Sequence, residues 1–183
     1  MNGKTVWALY GVLGMLLPAG SSFAADKTGP APGSERYIVR EVRREPIMLP
    51  FYSVFDNFDY KIHGGVVTLM GQVTRPTLMS DAESVVRTIE GVTKVVKEVK
   101  VLPVSPADDR IRLAVFRKLY ESDSPLFRCS EGAIPQLHII VDNGNVTLAG
   151  MADNPSDKHV ADIRVGQIPG VFSVKNDPAV EKP

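Results

Sequence analysis

At 183 residues the chain has room for one average domain or two small ones, and a composition 44% apolar and 23% charged excludes wholesale disorder. The 21 basic residues balance the 21 acidic ones, which argues against a dominant nucleic-acid-binding role and leaves room only for local charged patches. The lone cysteine, Cys129, has no intramolecular disulfide partner, so stability must come from packing.

Residues 1–24 carry one early positive charge, Lys4, then an apolar run from Val6 to Leu17 and a small-residue stretch ending Ser22-Phe23-Ala24. That order predicts a secretory signal peptide cleaved between Ala24 and Ala25. The apolar run is short of the roughly 20 residues that a spanning helix needs. Residues 25–34, which overlap the polar Pro/Gly-rich "DKTGPAPGSER" (Asp26 to Arg36), read as a flexible leader. A second break at "LPVSPADD", Leu102 to Asp109, separates two segments, 35–104 and 107–180.

Those segments repeat each other. Sliding the chain by 79 residues places Gly65 on Gly144, Val67 on Val146, Leu69 on Leu148 and Gly71 on Gly150. The same shift superposes Ala82 on Ala161, Val86 on Val165, Ile89 on Ile168 and Gly91 on Gly170, without a gap. Two copies of one unit follow, too few and too long for a solenoid.

Each unit is predicted to open with a helix. "ADDRIRLAVFRKLYES" (Ala107 to Ser122) is the clear case, and "SERYIVREVRREPIML" is its counterpart, with Pro46 interrupting the end. A hairpin follows. In "LHIIVDNGNVTLAG" the pair Asn143-Gly144 supplies the positive φ angles of a tight turn, and "GGVVTLMG" does the same around Gly65. Gly71 and Gly150 are expected to end the second strands. The next helix is expected near Thr77 to Glu90 and Ser156 to Gln167, started by Thr77, Ser80 or Asp81 in one unit and Ser156 or Asp157 in the other. Gly91 and Gly170 suit its end, and "VTKVVKEVKVLPV" and "VFSVKND" supply last strands. The expected fold is α+β: two tandem αββαβ units, each with two helices on one face of a three-stranded mixed sheet.

"GxVTLxG" followed by an alanine-bearing helix and "GVxxV", present twice, resembles the BON domain. Tandem copies behind a signal peptide resemble osmotically inducible periplasmic and envelope-integrity proteins. The resemblance implies no catalytic centre, no cofactor, and support of the envelope through contact with phospholipid. It further implies lipid contact on the first helix of the second domain. Two inserts depart from the family pattern: "PIMLPFYSVFDNF" in the first unit, and "ESDSPLFRCSEGAIPQ" in the second, which holds Cys129.

No catalytic or metal site emerges. Gly65 and Gly144 lie between two strands rather than before a helix, so they build turns and not a phosphate cradle. His63, His138 and His159 lack metal-ligand spacing, and Asp108 with Asp109 reads as a helix cap. The candidate binding face is on the helix from Asp109 to Ser122. Ile111, Ala114, Val115 and Leu119 make one apolar stripe; Leu113, Phe116 and Tyr120 make a second, flanked by Arg112 and Arg117. A helix in a two-layer domain needs one apolar face. The second face is therefore expected to meet the other unit, the insert, an anionic phospholipid surface or an envelope protein. Oligomeric state stays open, and no nucleic-acid partner is expected.

Overall fold

In the computed structural model residues 29–122, 124–130 and 134–180 are described. The predicted signal peptide and its Ala24–Ala25 junction lie outside them.

The first unit begins with α1 (Glu35–Arg44), whose N-cap Ser34 accepts a hydrogen bond from the Tyr37 N–H. Pro46 cannot donate to that helix, and the chain turns there into a short 3₁₀ segment, Pro46–Met48. β1 (Asn57–His63) and β2 (Val66–Val73) form an antiparallel hairpin with Tyr60 opposite Leu69. α2 (Pro76–Arg87) then crosses to β3 (Lys94–Val101), which lies parallel to β2 with Val67 opposite Val95.

The second unit repeats this order. α3 (Pro106–Tyr120) precedes a 3₁₀ segment, Pro125–Ser130, in which the backbone of Cys129 lies. β4 (Leu137–Asp142) and β5 (Asn145–Ala152) make the hairpin, and α4 (Pro155–Gly166) leads to β6 (Ser173–Asn176), parallel to β5. A two-residue β7 (Ala179–Val180) continues the parallel pairing at the far end of β5. The protein is thus α+β, with two mixed three-stranded sheets and two helices on each.

The hairpin turns use φ of 55° and 78° at Gly64 and Gly65, and 52° and 75° at Asn143 and Gly144. Four details differ from the sequence reading. β2 and β5 run on past Gly71 and Gly150, where an added Cβ would stand 2.1 Å from the Asn57 carbonyl and 2.2 Å from the Gln136 carbonyl. Those glycines permit close approach of the neighbouring backbone rather than ending the strand. α2 starts at Pro76 after N-cap Arg75, leaving Thr77, Ser80 and Asp81 inside the helix. In α4 the cap is Asn154, which accepts from the Asp157 N–H at 2.9 Å. Gly91 and Gly170 sit beyond the C-caps Thr88 and Gln167, in the turn toward the last strand.

The repeat is also a repeat of burial. Val67, Leu69, Ala82, Val86 and Ile89 pack with Ile38 and Val42 of α1, and Val146, Leu148, Ala161, Val165 and Ile168 pack with Ile111, Val115 and Leu119 of α3.

The two cores are not closed, because the inserts cross between them. Val54, from the segment joining α1 to β1, belongs to the second unit's core beside Leu119 and Ile139, and its carbonyl accepts the Ile139 N–H at 2.8 Å. In the other direction Ile134 packs against Tyr52, Val73 and Leu78 of the first unit. Lys100 of β3 adds an ion pair with Asp142 of β4.

Candidate functional site

α3 is the element on which both the sequence and the fold concentrate. Its N-cap is Ser105, which accepts the Asp108 N–H at 3.2 Å. The expected capping carboxylates act elsewhere. Asp108 is buried and accepts the Asn143 and Gly144 N–H groups at 3.0 and 2.9 Å, so it ties the helix to the hairpin turn. Asp109 accepts from Arg112 Nη1 at 2.5 Å.

The stripe Ile111, Val115 and Leu119 enters the core as its spacing requires. The second stripe divides. Tyr120 is buried and its hydroxyl donates to the Leu137 carbonyl at 2.8 Å. Phe116 is half-buried, edge-on to Tyr120 with ring centroids 5.2 Å apart and to Phe55 of the first unit at 6.2 Å. Arg112 is only 5% exposed, with Nη2 donating to the Val141 carbonyl at 2.7 Å. Packing inside the protein therefore occupies Tyr120, Arg112 and much of Phe116. Leu113 remains 48% exposed, and Arg117 is exposed with no ion-pair partner among the described residues.

With the core stripe placed, the outward face of α3 is centred on Arg110 and Arg117, two turns apart, while Ala114 packs against the edge of the core. Arg110 likewise has no ion-pair partner among the described residues. Lys118 lies at the margin and pairs with Glu121 at 3.6 Å. Leu113 flanks the basic row on one side. On the other, a shallow groove of about 420 Å³ along Ala107, Ile111 and Ala114 leads to Phe172, which is 81% exposed. The sequence reading missed Arg110 and Phe172. Phe172 stands where the repeat register puts Thr93 in the first unit, so the comparison of the two copies held the signal.

No group of His, Cys, Asp and Glu that could hold a metal is present among the described residues, and no described helix is long and apolar enough to cross a membrane. His138 lies in the seam between the units, its ring 5.8 Å from that of Tyr52, and its Nδ1 is buried without a hydrogen-bond partner. Burial lowers its pKa from the ordinary value, and the Asp56 and Ser53 carbonyls and the Asp56 charge only partly oppose this. Burial likewise raises the Tyr52 phenol, with the Asp56 charge adding to the effect. A histidine whose folded pKa is depressed contributes stability above its unfolded pKa, and that contribution is lost as pH falls toward the folded value. Acidification from about pH 7.5 to about pH 5 is therefore expected to lower the urea midpoint more in the wild type than in His138→Gln. Equal losses in the two proteins would remove His138 from the seam's energetics.

Two helices on one face of a mixed three-stranded sheet, repeated in tandem with a glycine-turn hairpin at each centre, define the class of protein. The family model of the BON domain matches residues 55–103 and again 108–182, and the chain belongs to that family. Among curated proteins it has no match. Among solved structures it is similar to the C-terminal domain of CdsD, the structural protein of the type III secretion system of Chlamydia trachomatis. Identity is 14% over 80% of this chain and 98% of that one, with a TM-score of 0.32. A second CdsD structure gives 14% identity, coverage of 79% and 93%, and a TM-score of 0.31. Identity and superposition at that level carry no function across.

Proposed function

We propose that this is a non-enzymatic protein of the bacterial envelope, exported to the periplasm, whose second BON unit rests on anionic phospholipid surfaces and supports envelope integrity or osmotic-stress tolerance. The observation that carries the reading is the outward face of α3: Arg110 and Arg117 unpaired among the described residues, with the exposed apolar side chains of Leu113 and Phe172 on either side. Burying Leu113 and Phe172 in a bilayer interface contributes about 1.5–3 kcal/mol each. Two arginines near anionic headgroups add about 1 kcal/mol apiece. Such contact is reversible and weakens with salt. Of the residues singled out in the sequence, Leu113 and Arg117 keep this role, while Arg112, Phe116 and Tyr120 hold the helix in place beneath it.

The wild type is expected to co-float with phosphatidylglycerol vesicles and much less with phosphatidylcholine vesicles. Arg110→Glu with Arg117→Glu should lower vesicle binding at least about tenfold, given the reversal of two charges. Phe172→Ser should weaken it independently of salt. Undiminished co-flotation of the charge-reversed protein would rule this face out. A second reading, a docking scaffold for an envelope protein, draws on the exposed Ile47 and Met48 of the first insert. Elution larger than a monomer that Met48→Ser abolishes would favour it.

A further inference from the structure

Beside α3, on the side of Leu113, a cleft of about 720 Å³ opens between the units, walled by the first insert, the Leu102–Val104 connection and α3. Phe51 stands on its rim. Its φ is 69°, a left-handed conformation that is strained for a bulky residue. Packing does not offset that strain, since Phe51 is 68% exposed. What the conformation achieves is presentation of the ring to the cleft, with the Arg75 guanidinium carbon 4.7 Å from its centroid. Arg75 is the N-cap residue of α2, so its backbone is fixed, and it has no carboxylate partner among the described residues.

The rest of the wall decides what chemistry is left open. Ser53 and Thr74 both bind the Asp56 carboxylate, through N–H and hydroxyl alike. Asp109 is engaged by Arg112. Apart from the Arg112 Nε, which is buried without a partner, and the exposed edge of the Asp109 carboxylate, these polar side chains are engaged, which leaves the cleft few groups for a peptide backbone. The open surface consists of the Phe51 ring, Pro103, Val104 at 95% exposure, half-exposed Leu113, the Arg75 cation and the exposed Asp109 carboxylate, whose charge Arg112 offsets.

We infer that this cleft takes up a single anionic phospholipid, its headgroup phosphate on Arg75 and the upper part of an acyl chain along Phe51, Val104 and Leu113. The inference rests on the membrane-contact reading above, because Leu113 belongs to both surfaces and the cleft therefore opens beside the lipid face. The volume suits a headgroup and part of a chain rather than a whole lipid, so the remainder stays in the bilayer, and the protein grips one molecule of the surface it rests on.

The test uses the purified protein and monomeric dihexanoyl-phosphatidylglycerol, followed by methyl NMR. Saturable shifts are expected at Val104 and Leu113. Arg75→Gln should weaken binding about tenfold, the loss of one charge-assisted contact. Val104→Asp, at an exposed site that spares the fold, should weaken it as well. Both variants should still co-float with phosphatidylglycerol vesicles, whereas Arg110→Glu with Arg117→Glu should lose vesicles and keep the monomeric lipid. The inference is overturned by absent shifts at Val104 and Leu113, by unchanged affinity in Arg75→Gln, or by equal binding of dihexanoyl-phosphatidylcholine. Vesicle binding that survives charge reversal while monomer binding follows Arg75 would instead overturn the surface reading alone.

Discussion

Asp56→Ala is expected to destabilise the protein by about 3–5 kcal/mol, the range for stripping a buried charged group from its partners. Asp56 is fully buried, and its carboxylate accepts four hydrogen bonds. One oxygen takes the Ser53 N–H at 3.0 Å and the Ser53 hydroxyl at 2.7 Å; the other takes the Thr74 N–H at 2.6 Å and the Thr74 hydroxyl at 2.8 Å. Ser53 belongs to the first insert and Thr74 follows β2, so the carboxylate ties the irregular segment to the end of a core strand. Alanine would leave two backbone donors in a part-buried pocket with nothing to receive them. Asparagine keeps one acceptor and should lose about half as much. Small domains hold only about 5–15 kcal/mol in total, so the alanine variant should show a large drop in urea midpoint at unchanged slope. A midpoint within error of the wild type would mean that water or a rearranged loop replaces the carboxylate at little cost.

Asp56 shows what the sequence alone could not convey. The strands and second helices were legible because both copies spell them: Val67 and Val146, or Ala82 and Ala161, are buried in both units, and chance does not repeat a period over that length. The inserts have no second copy to be read against, and Tyr52, Val54, Phe55 and Ile134, which reach across between the units, sit there. Asp108 was misread for a different reason. An acidic residue before an apolar helix is locally a cap, yet its carboxylate reaches a hairpin turn 35 residues away, and no local pattern records that. On α3 the second stripe finds partners inside the protein for Tyr120 and Phe116 and none for Leu113. A helical wheel gives directions, however, and not reach: Arg112 spans to the Val141 carbonyl, and Phe55 of the first unit covers Phe116. Leu113 and Arg117 stay outward, joined by Arg110, the residue opposite the core stripe, and by an aromatic contributed by another element.

The exchange of inserts makes the sharpest prediction about the architecture. Val54→Asp lies in the first unit and is expected to unfold the second, at a cost of about 3–5 kcal/mol for an unpaired carboxylate placed in an apolar core. Val54 is buried among Leu119, Leu126, Leu137 and Ile139, and none of those belongs to its own unit. Its backbone position is fixed by the Ile139 N–H, so the new side chain cannot swing to solvent without breaking that bond. Amide exchange should separate the consequences: Val141, Val146 and Leu148 should lose protection while Val67 and Leu69, in the other core, keep theirs. Ile47→Asp, in the same insert but exposed, is the control and should change stability by no more than about 0.5 kcal/mol. If Val54→Asp leaves the second unit's amides protected, the units fold independently and the crossing insert is only a tether. If both cores lose protection together, the exchange of Val54 for Ile134 has merged the two units into one cooperative structure, and the tandem repeat would survive in the sequence while having disappeared from the energetics.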